Sequence, residues 1–284
     1  MNKKYLNHVL TEFPGKMIPV NNHKIHIFTE GEGNPNLIFM SGSGTYSPMY
    51  DFKALYSKMS DEFRITVIEK AGYGFSEISN MPRDIDTLLY ETRTVLKEVN
   101  INPPYILFPH SMSAIEALYW VQCYPDEIKA IIGIDPAFPP YYEKLNITPI
   151  IKKMKTLSKI FNKYFKWLLP FIAKQLSPIK YNTLNKIDTK ICKALNYHRF
   201  LTNNMFNESE KVKENAEKIN IEKINRIPML LFISNYSKWE NLIREYIKDF
   251  EVEILTYNAG HYLHNIFPDD ISNKSKIFIK NIVK

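Results

Sequence analysis

The chain has 284 residues, of which 45% are hydrophobic and 13% aromatic. This length and composition suffice for one large domain with a buried core, or for a core that carries a substantial insertion. No apolar run reaches the roughly 18–20 residues that span a bilayer. The polar start of the chain also lacks the apolar region of a secretory signal. We therefore expect a cytoplasmic protein.

The net charge of +7 is concentrated in one part of the chain. Residues 137–226 contain 18 Lys and Arg against seven acidic residues, a net charge of +11, whereas the remainder of the chain carries −4. This basic segment contains no recognised nucleic-acid motif, so we do not expect nucleic-acid binding. The two cysteines, Cys123 and Cys192, have no metal-ligand spacing and are expected to be free buried thiols. No feature of the sequence calls for a metal or an organic cofactor.

Strand-like apolar runs alternate with helical patterns along most of the chain. The predicted strands are Lys24–Thr29, Asn36–Met40, Arg64–Ile68, Tyr105–Phe108, Ala130–Ile134, Met229–Ile233 and Val252–Tyr257. The predicted helices are Ile85–Val99, Met112–Tyr124, Lys238–Phe250 and Asp270–Val283, with a short amphipathic helix possible within Asn2–Phe13. This alternation predicts an α/β fold with a mostly parallel central sheet flanked by helices.

Strand patterns stop between residues 137 and 226, where Lys, Asn and aromatic residues recur at helical spacing. We interpret this segment as a helical, basic cap inserted into a core made of residues 1–136 and 227–284. Nothing in the sequence indicates the oligomeric state.

The segment from Tyr105 to Ala114 changes abruptly at His110–Ser111, where an apolar run gives way to a helical pattern. A serine at a tight strand-to-helix turn has its hydroxyl lifted clear of the sheet, and the N–H groups that open the helix point toward the group it attacks. The usual pattern is G-x-S-x-G, whereas Pro109 and Ser113 occupy the outer positions here. The segment predicts Ser111 as a nucleophile, with a helix N-cap as the alternative interpretation.

Three further segments follow predicted strands and contain glycine. Residues 40–44 read Met-Ser-Gly-Ser-Gly, residues 69–76 read Glu-Lys-Ala-Gly-Tyr-Gly-Phe-Ser, and residues 258–264 read Asn-Ala-Gly-His-Tyr-Leu-His. Glycine permits tight turns and close approach of the backbone to a reacting group. His261 suits a general base because the pKa of histidine lies near neutrality, and His264 is the nearby alternative.

Together these four segments resemble the α/β-hydrolase fold superfamily, over nearly the whole chain from about Met17 onward. The resemblance implies a serine hydrolase in which Ser111 is the nucleophile and His261 the general base, with Ser43 and Met112 contributing N–H groups to an oxyanion hole. It assigns the Glu69 turn a structural role. Ser41 departs from the pattern, since the family usually has histidine there.

The acid that completes the triad is the least clear member. Counting from the strand Met229–Ile233, the family's usual acid position falls on Ser237, which cannot supply a charge. Some members take the acid from the end of the preceding strand, and this implies Asp135, with Glu240 as the alternative. An ordinary turn at Asp135–Pro136 is the competing interpretation.

Residues 149–180 contain eight lysines and no acidic residue, with apolar residues at helical spacing. One interpretation is that the apolar face closes over the active site while the lysines face water. The other is docking of this amphipathic helix on an anionic membrane, which would deliver an acyl-lipid substrate.

The leading functional hypothesis is a serine hydrolase that cleaves a carboxylic ester of a small or acyl-chain substrate. An aminopeptidase is less favoured because it needs a cluster of carboxylates to hold the substrate's ammonium group. Glu116 lies just past the predicted nucleophile, but the predicted cap contains only seven acidic residues. Dehalogenases and epoxide hydrolases are excluded because each uses aspartate where this chain has Ser111. Acyltransferase chemistry and a catalytically inert binding protein remain alternatives.

Overall fold

An eight-stranded sheet lies at the centre of the computed structural model, which describes residues 3–224, 227–237 and 239–283. Its strands are β1 Lys16–Val20, β2 His23–Glu30, β3 Asn36–Met40, β4 Arg64–Glu69, β5 Tyr105–Pro109, β6 Ile128–Ile134, β7 Met229–Ser234 and β8 Val252–Tyr257. The order across the sheet is β1-β2-β4-β3-β5-β6-β7-β8. Strands β3 to β8 run parallel, and β1 and β2 pair antiparallel at one edge.

Helices cover both faces of the sheet and fill the segment between β6 and β7. In the described residues they are α1 Lys3–His8, α2 Pro48–Asp51, α3 Lys53–Tyr56, α4 Ile85–Glu98, α5 Ser113–Cys123, α6 Pro139–Glu143, α7 Thr148–Ile160, α8 Leu169–Ile172, α9 Ser177–Lys180, α10 Lys186–Arg199, α11 Asn203–Glu217, α12 Glu240–Tyr246, α13 Leu263–Ile266 and α14 Pro268–Val283. None of them is long and apolar enough to cross a bilayer.

The central strands are apolar throughout because both of their faces are covered. Every residue of β3, β5 and β7 is buried, as expected for parallel strands packed between two helical layers. On one face, Phe39 of β3 stacks on Phe108 of β5 with ring centroids 4.6 Å apart. On the other face, Trp120 of α5 packs over Tyr105. These two cores hold the carboxyl ends of the strands in place.

The structure and the comparisons reported below confirm the predicted α/β fold, with differences at its edge. Strand β1 was not predicted because its pattern is short and contains Pro19, which an edge strand tolerates. Cys192 is buried as expected, but the expectation for Cys123 is wrong because its position near the end of α5 leaves it exposed. The predicted helix start at Lys238 and the predicted cap boundary at Arg226 lie outside the described residues.

Helices α6 to α11 and short 3-10 and π turns make up the described part of the segment between β6 and β7. Helix α11 packs against the core: the Asn204 amide accepts the Ser79 N–H at 3.1 Å and donates to the Ser79 carbonyl at 2.8 Å. The domain boundaries themselves stay a prediction.

The lysine-rich part of this segment is not one continuous helix. Helix α7 ends at Ile160, a π turn follows over Phe161–Phe165, and a 3-10 turn precedes α8. Pro170 in α8 has no N–H to donate to the preceding turn, so the regular helical hydrogen bonding is interrupted just before it.

Candidate active site

Four of the residues that the sequence singles out follow four neighbouring strands at the same edge of the sheet. Ser111 follows β5, Asp135 follows β6, Ser237 follows β7 and His261 follows β8. Because the carboxyl ends of parallel strands meet at one edge, residues up to 150 positions apart are brought together there. This edge is where open α/β sheets form their ligand sites.

Ser111 occupies a sharp turn between β5 and α5, with φ of 57°. A positive φ is uncommon for a residue other than glycine and is tolerated where surrounding contacts fix the backbone. Here the Ser111 carbonyl accepts the Ala137 N–H at 3.0 Å, and its N–H donates to the Ile134 carbonyl at 3.4 Å. Ser113 stabilises the same turn, because its hydroxyl accepts the His110 N–H at 3.0 Å and lies 2.7 Å from the Met40 carbonyl.

His261 and Asp135 are in direct contact. The Nδ1 of His261 donates to Asp135 Oδ2 at 2.5 Å. The Asp135 carboxylate also accepts the Ser234 N–H at 3.0 Å and the Ser237 hydroxyl at 2.5 Å. Asp135 is fully buried, so these three donors replace the water that its charge would otherwise bind. Within the described residues, His261 hydrogen-bonds only through Nδ1 and its carbonyl, which leaves Nε2 free for a serine hydroxyl.

The structure does not bring the alternative acid or the alternative base into this arrangement. Glu240 begins α12, where its Oε1 accepts Arg244 at 2.8 Å and the Thr256 hydroxyl at 3.1 Å. His264 is fully buried and donates from Nε2 to Asp51 Oδ2 at 3.0 Å. Each of these side chains is engaged elsewhere.

His110, the residue before Ser111, makes a contact with His261 that the sequence did not predict. Its ring lies 4.5 Å from the ring of His261, and its Nε2 donates to the His261 carbonyl at 3.2 Å. Burial, together with the neighbouring His261 and His264, lowers the pKa of His110 well below its usual value, against the opposing effect of this hydrogen bond. A neutral imidazole therefore anchors the loop that carries His261. The sequence feature that could have indicated this role is the position of His110 directly before the predicted nucleophile.

Ser43 and Met112 lie on the two loops that flank Ser111. Among the residues that the structure describes, the backbone N–H of each has no acceptor, so both are available to a ligand. Gly42 brings the first loop close: a Cβ built there would lie 2.8 Å from Ser111 Cβ and 3.0 Å from the His110 carbonyl oxygen. The Ser43 hydroxyl lies 2.8 Å from the hydroxyl of Ser209 on α11, so this helix of the predicted cap reaches the same site.

Glu69 organises the turn after β4 and does not touch Ser111 or His261 in the described contacts. Its carboxylate accepts the N–H of Phe75 at 2.7 Å and of Met49 at 3.1 Å, and lies 3.0 Å from His26 Nδ1. A Cβ at Gly74 would overlap this carboxylate, which explains why the turn needs glycine there.

A cavity of about 160 Å³ adjoins the site. It is lined by residues 44–47 of the loop after β3, residues 175–178 of the predicted cap, and Tyr262 beside His261. A larger depression of about 750 Å³ lies between α14 and the residues that precede β3 and β4, at the opposite edge of the sheet, and contains none of the site residues.

The sequence matches the family model described as "Serine aminopeptidase, S33" over residues 35–238. This match covers more than half of the chain. The chain belongs to this family. It is a hydrolase of the α/β-hydrolase superfamily, as the resemblance implied.

One relative extends the similarity to nearly the full length. The chain is 33% identical over 280 residues to the uncharacterized protein YbdG of Bacillus subtilis (strain 168), covering 94% of this chain and 86% of that protein.

Two solved structures show the same fold at low sequence identity. The enol-lactonase from Burkholderia xenovorans LB400 matches with a TM-score of 0.68 at 15% identity, over 93% of this chain and all of that one. A loop variant of the haloalkane dehalogenase DbeA from Bradyrhizobium elkanii matches with a TM-score of 0.67 at 13% identity, over 94% of this chain and 96% of that one. Because these proteins differ in chemistry, the likeness carries the fold alone.

Proposed function

We propose that this hydrolase cleaves a carboxylic ester, or a related acyl bond, through an acyl-enzyme on Ser111. The observation that carries the proposal is the hydrogen bond between His261 and the buried Asp135, at the same sheet edge as Ser111, which is held at positive φ after the neighbouring strand β5. A buried carboxylate that orients an imidazole near a serine hydroxyl is the arrangement that activates a weak nucleophile.

In the proposed mechanism, Ser111 Oγ attacks the acyl carbonyl carbon while Nε2 of His261 takes the hydroxyl proton. Asp135 keeps the proton on Nδ1 and stabilises the imidazolium that forms. The N–H groups of Ser43 and Met112 bind the oxyanion, and each such donor is worth about 10²–10³ in rate. The intermediate collapses as His261 returns the proton to the leaving alcohol. Water activated by the same imidazole then cleaves the acyl-enzyme and releases the carboxylic acid.

The family description suggests aminopeptidase activity as a second candidate function. The buried ionic cluster around Lys70 argues against it. The carboxylates of Glu116 and Glu208 lie on residues that line a small cavity together with Met112, and both are ion-paired with the buried Lys70. Because both carboxylates are buried and paired with Lys70, they are not accessible to the ammonium group of a peptide N-terminus. An uncharged acyl substrate fits this site better.

Labelling with a fluorophosphonate probe, read by intact mass spectrometry, tests the proposal. We expect stoichiometric labelling of the wild type, none of Ser111→Ala, and normal labelling of Ser209→Ala, which removes a nearby hydroxyl outside the proposed triad. Hydrolysis of p-nitrophenyl esters should follow the same order. A folded wild-type protein that neither reacts with the probe nor hydrolyses these esters would instead be a binding protein on the hydrolase fold.

A further inference from the structure

The cap exposes an apolar surface that the fold does not cover. Nine of the 17 large hydrophobic side chains exposed in the described residues fall within residues 150–172, which we call the docking segment. They are Ile150, Met154, Leu157, Ile160, Tyr164, Phe165, Trp167, Phe171 and Ile172. Trp167, Tyr164 and Phe171 are 65%, 60% and 59% exposed. An apolar surface concentrated in one segment marks an interaction site, in contrast to scattered apolar residues.

The apolar stripe of α7 faces outward, contrary to the interpretation in which it closes over the active site. Helix α7 contacts the protein through a narrow edge at Ile151 and Ser158. Ile150, Met154 and Leu157, spaced three and four residues apart, lie on the exposed side. The amphipathic pattern is therefore real, but its apolar face is available to a partner.

The charges around this surface specify the partner's chemistry. No acidic residue occurs between Pro149 and Lys180, and lysines at 152, 153, 155, 159, 163 and 166 lie within the docking segment. Of these six lysines, Lys155 alone forms an ion pair within the described residues, with Glu210 at 2.7 Å. The ammonium of Lys163 lies 4.9 Å from the ring of its neighbour Tyr164. Unpaired lysines beside aromatic and aliphatic side chains match an anionic headgroup layer above hydrocarbon.

Other occupants fit this surface less well. A second copy of the chain would bring two lysine-rich surfaces together, and like charges oppose that contact. A nucleic acid would satisfy the lysines and could stack on aromatic rings, but it offers no hydrocarbon to Ile150, Leu157 or Ile172. A lipid bilayer accommodates both kinds of side chain, with tryptophan at the level of the headgroups.

The docking segment is connected to the site at the carboxyl edge of the sheet. Phe161 packs against Phe200 with centroids 5.8 Å apart, and Phe200 packs against Tyr46 at 5.9 Å. Residues 175–178, which begin three positions after the last residue of the segment, line the same cavity as Tyr46 and Tyr262. A molecule that leaves the bilayer at this surface is therefore close to the cavity beside His261.

We propose that the docking segment binds the surface of anionic phospholipid bilayers. We further propose that the ester cleaved at Ser111 belongs to a membrane-borne acyl lipid, and this second part rests on the proposed function. The lysines would hold the headgroup layer while Trp167 and Phe171 enter the boundary between headgroups and acyl chains.

Co-sedimentation of the full-length protein with vesicles tests the docking. We expect binding to phosphatidylcholine vesicles that contain phosphatidylglycerol, little binding to phosphatidylcholine alone, and a blue shift of tryptophan emission that Trp167→Phe removes. Replacing Lys152, Lys159 and Lys163 by Gln should weaken binding about 100-fold. The matched control, Lys24, Lys97 and Lys129 to Gln, changes the net charge equally and should bind within about threefold of wild type.

Apolar variants separate insertion from a simple charge effect. Trp167→Glu with Phe171→Glu should abolish vesicle binding, whereas Ile277→Glu, at an exposed apolar position on α14, should not. Equal and negligible binding to vesicles with and without phosphatidylglycerol would overturn the docking proposal. The proposal would also fail if the control lysine substitutions weakened binding as much as those in the docking segment. A concentration-dependent dimer that the Trp167 and Phe171 changes dissolve, without any vesicle binding, would assign the surface to a second copy instead.

The two proposals fail in different ways. Ser111→Ala should bind vesicles like the wild type, because docking does not use the nucleophile. The lysine and apolar variants should hydrolyse a soluble p-nitrophenyl ester at the wild-type rate but lose activity on an ester embedded in anionic vesicles. Vesicle binding without probe labelling would overturn the hydrolase proposal alone, and labelling without vesicle binding would overturn docking alone.

Discussion

His261 Nδ1 and Asp135 Oδ2 lie 2.5 Å apart, although 126 residues separate them in the chain. The contact exists because β6 and β8 flank β7 in the sheet, so the loops that follow them converge above the end of β7. Ser234, the last residue of β7, donates its N–H to the Asp135 carboxylate, and Ser237, three residues later, donates its hydroxyl to it. Three strand ends therefore define the position of one imidazole.

The first prediction concerns the identity of the acid. Asp135→Asn should lower kcat for ester hydrolysis about 10⁴-fold, because a neutral amide neither fixes the imidazole tautomer nor stabilises the imidazolium. Glu240→Gln should retain activity within about threefold, since that carboxylate pairs with Arg244 and Thr256. Steady-state kinetics with a p-nitrophenyl ester, alongside circular dichroism to verify folding, measures both. The reverse order of effects would make Glu240 the acid.

The second prediction concerns Ser237, which occupies the position where the family usually has its acid. Ser237→Ala removes one hydrogen bond to a buried carboxylate, and we expect kcat to fall about 10-fold with KM little changed. Ser237→Thr keeps the hydroxyl and should restore most of the rate. Equal loss in the two variants would indicate that the site responds to packing at this position and that the hydroxyl does not matter.

The sequence predicted seven of the eight strands, the turn at Ser111 and the loop of His261 because these features are local. The acid of the triad was harder to predict because Asp135 and Glu240 both lie near strand ends. The choice between them depends on how β6, β7 and β8 are ordered in the sheet. His110 and Lys70 show the same limit: their partners lie on segments that become neighbours only after folding. Helical periodicity likewise predicted an amphipathic cap helix, but periodicity does not determine which of its faces the protein covers.

A third prediction follows from the close approach of Gly42 to Ser111, the proposed nucleophile. The methyl group of Gly42→Ala would lie 2.8 Å from Ser111 Cβ, so the loop must move away from the serine. If Ser43 N–H binds the oxyanion, kcat should fall about 10²-fold or more. Gly44→Ala is the matched control: its φ of 75° adds strain of about 1 kcal/mol, but no atom lies within 4 Å of the added methyl group. Similar kcat values for the two variants would remove the loop from the proposed oxyanion hole.

A fourth prediction concerns His110 and acid stability. Because the pKa of His110 in the folded state is well below 6.5, the unfolded chain binds a proton below that pH while the folded protein does not. This difference lowers the free energy of unfolding as the pH falls below 6.5. His110→Gln should reduce the slope by up to about 1.4 kcal/mol per pH unit. Urea denaturation from about pH 7 to about pH 5 measures it, and parallel curves for variant and wild type would contradict it.

The last prediction concerns a buried ionic cluster that joins α11, in the predicted cap, to α5. Lys70, after β4, lies 2.8 Å from Glu116 of α5 and pairs with Glu208 of α11, while the Tyr73 hydroxyl donates to Glu208 at 2.8 Å. Burial lowers the pKa of Lys70, but the two carboxylates raise it more, so the amine is charged. Burial and the charge of Glu208 raise the pKa of Glu116 against the opposing effect of Lys70. The cluster therefore carries two acids for one base in the interior.

Removing Lys70 leaves those two acids facing each other without a counter-charge. Lys70→Met should reduce the free energy of unfolding by about 3–5 kcal/mol at neutral pH. The loss should shrink as the pH falls, because the raised pKa of Glu116 lets the folded variant take up a proton there that the unfolded chain binds only at lower pH. Adding Glu208→Gln to Lys70→Met should recover part of the stability by removing one of the two charges.

The exposed pair Lys155–Glu210 links α7 to α11 and provides the control. Lys155→Met should change the free energy of unfolding by no more than about 0.5 kcal/mol, because water already solvates both partners. Urea denaturation of the four proteins at neutral and acidic pH makes the comparison. If Lys70→Met and Lys155→Met lower the free energy of unfolding equally at every pH, the buried cluster contributes no more to stability than the exposed ion pair, and the prediction is wrong.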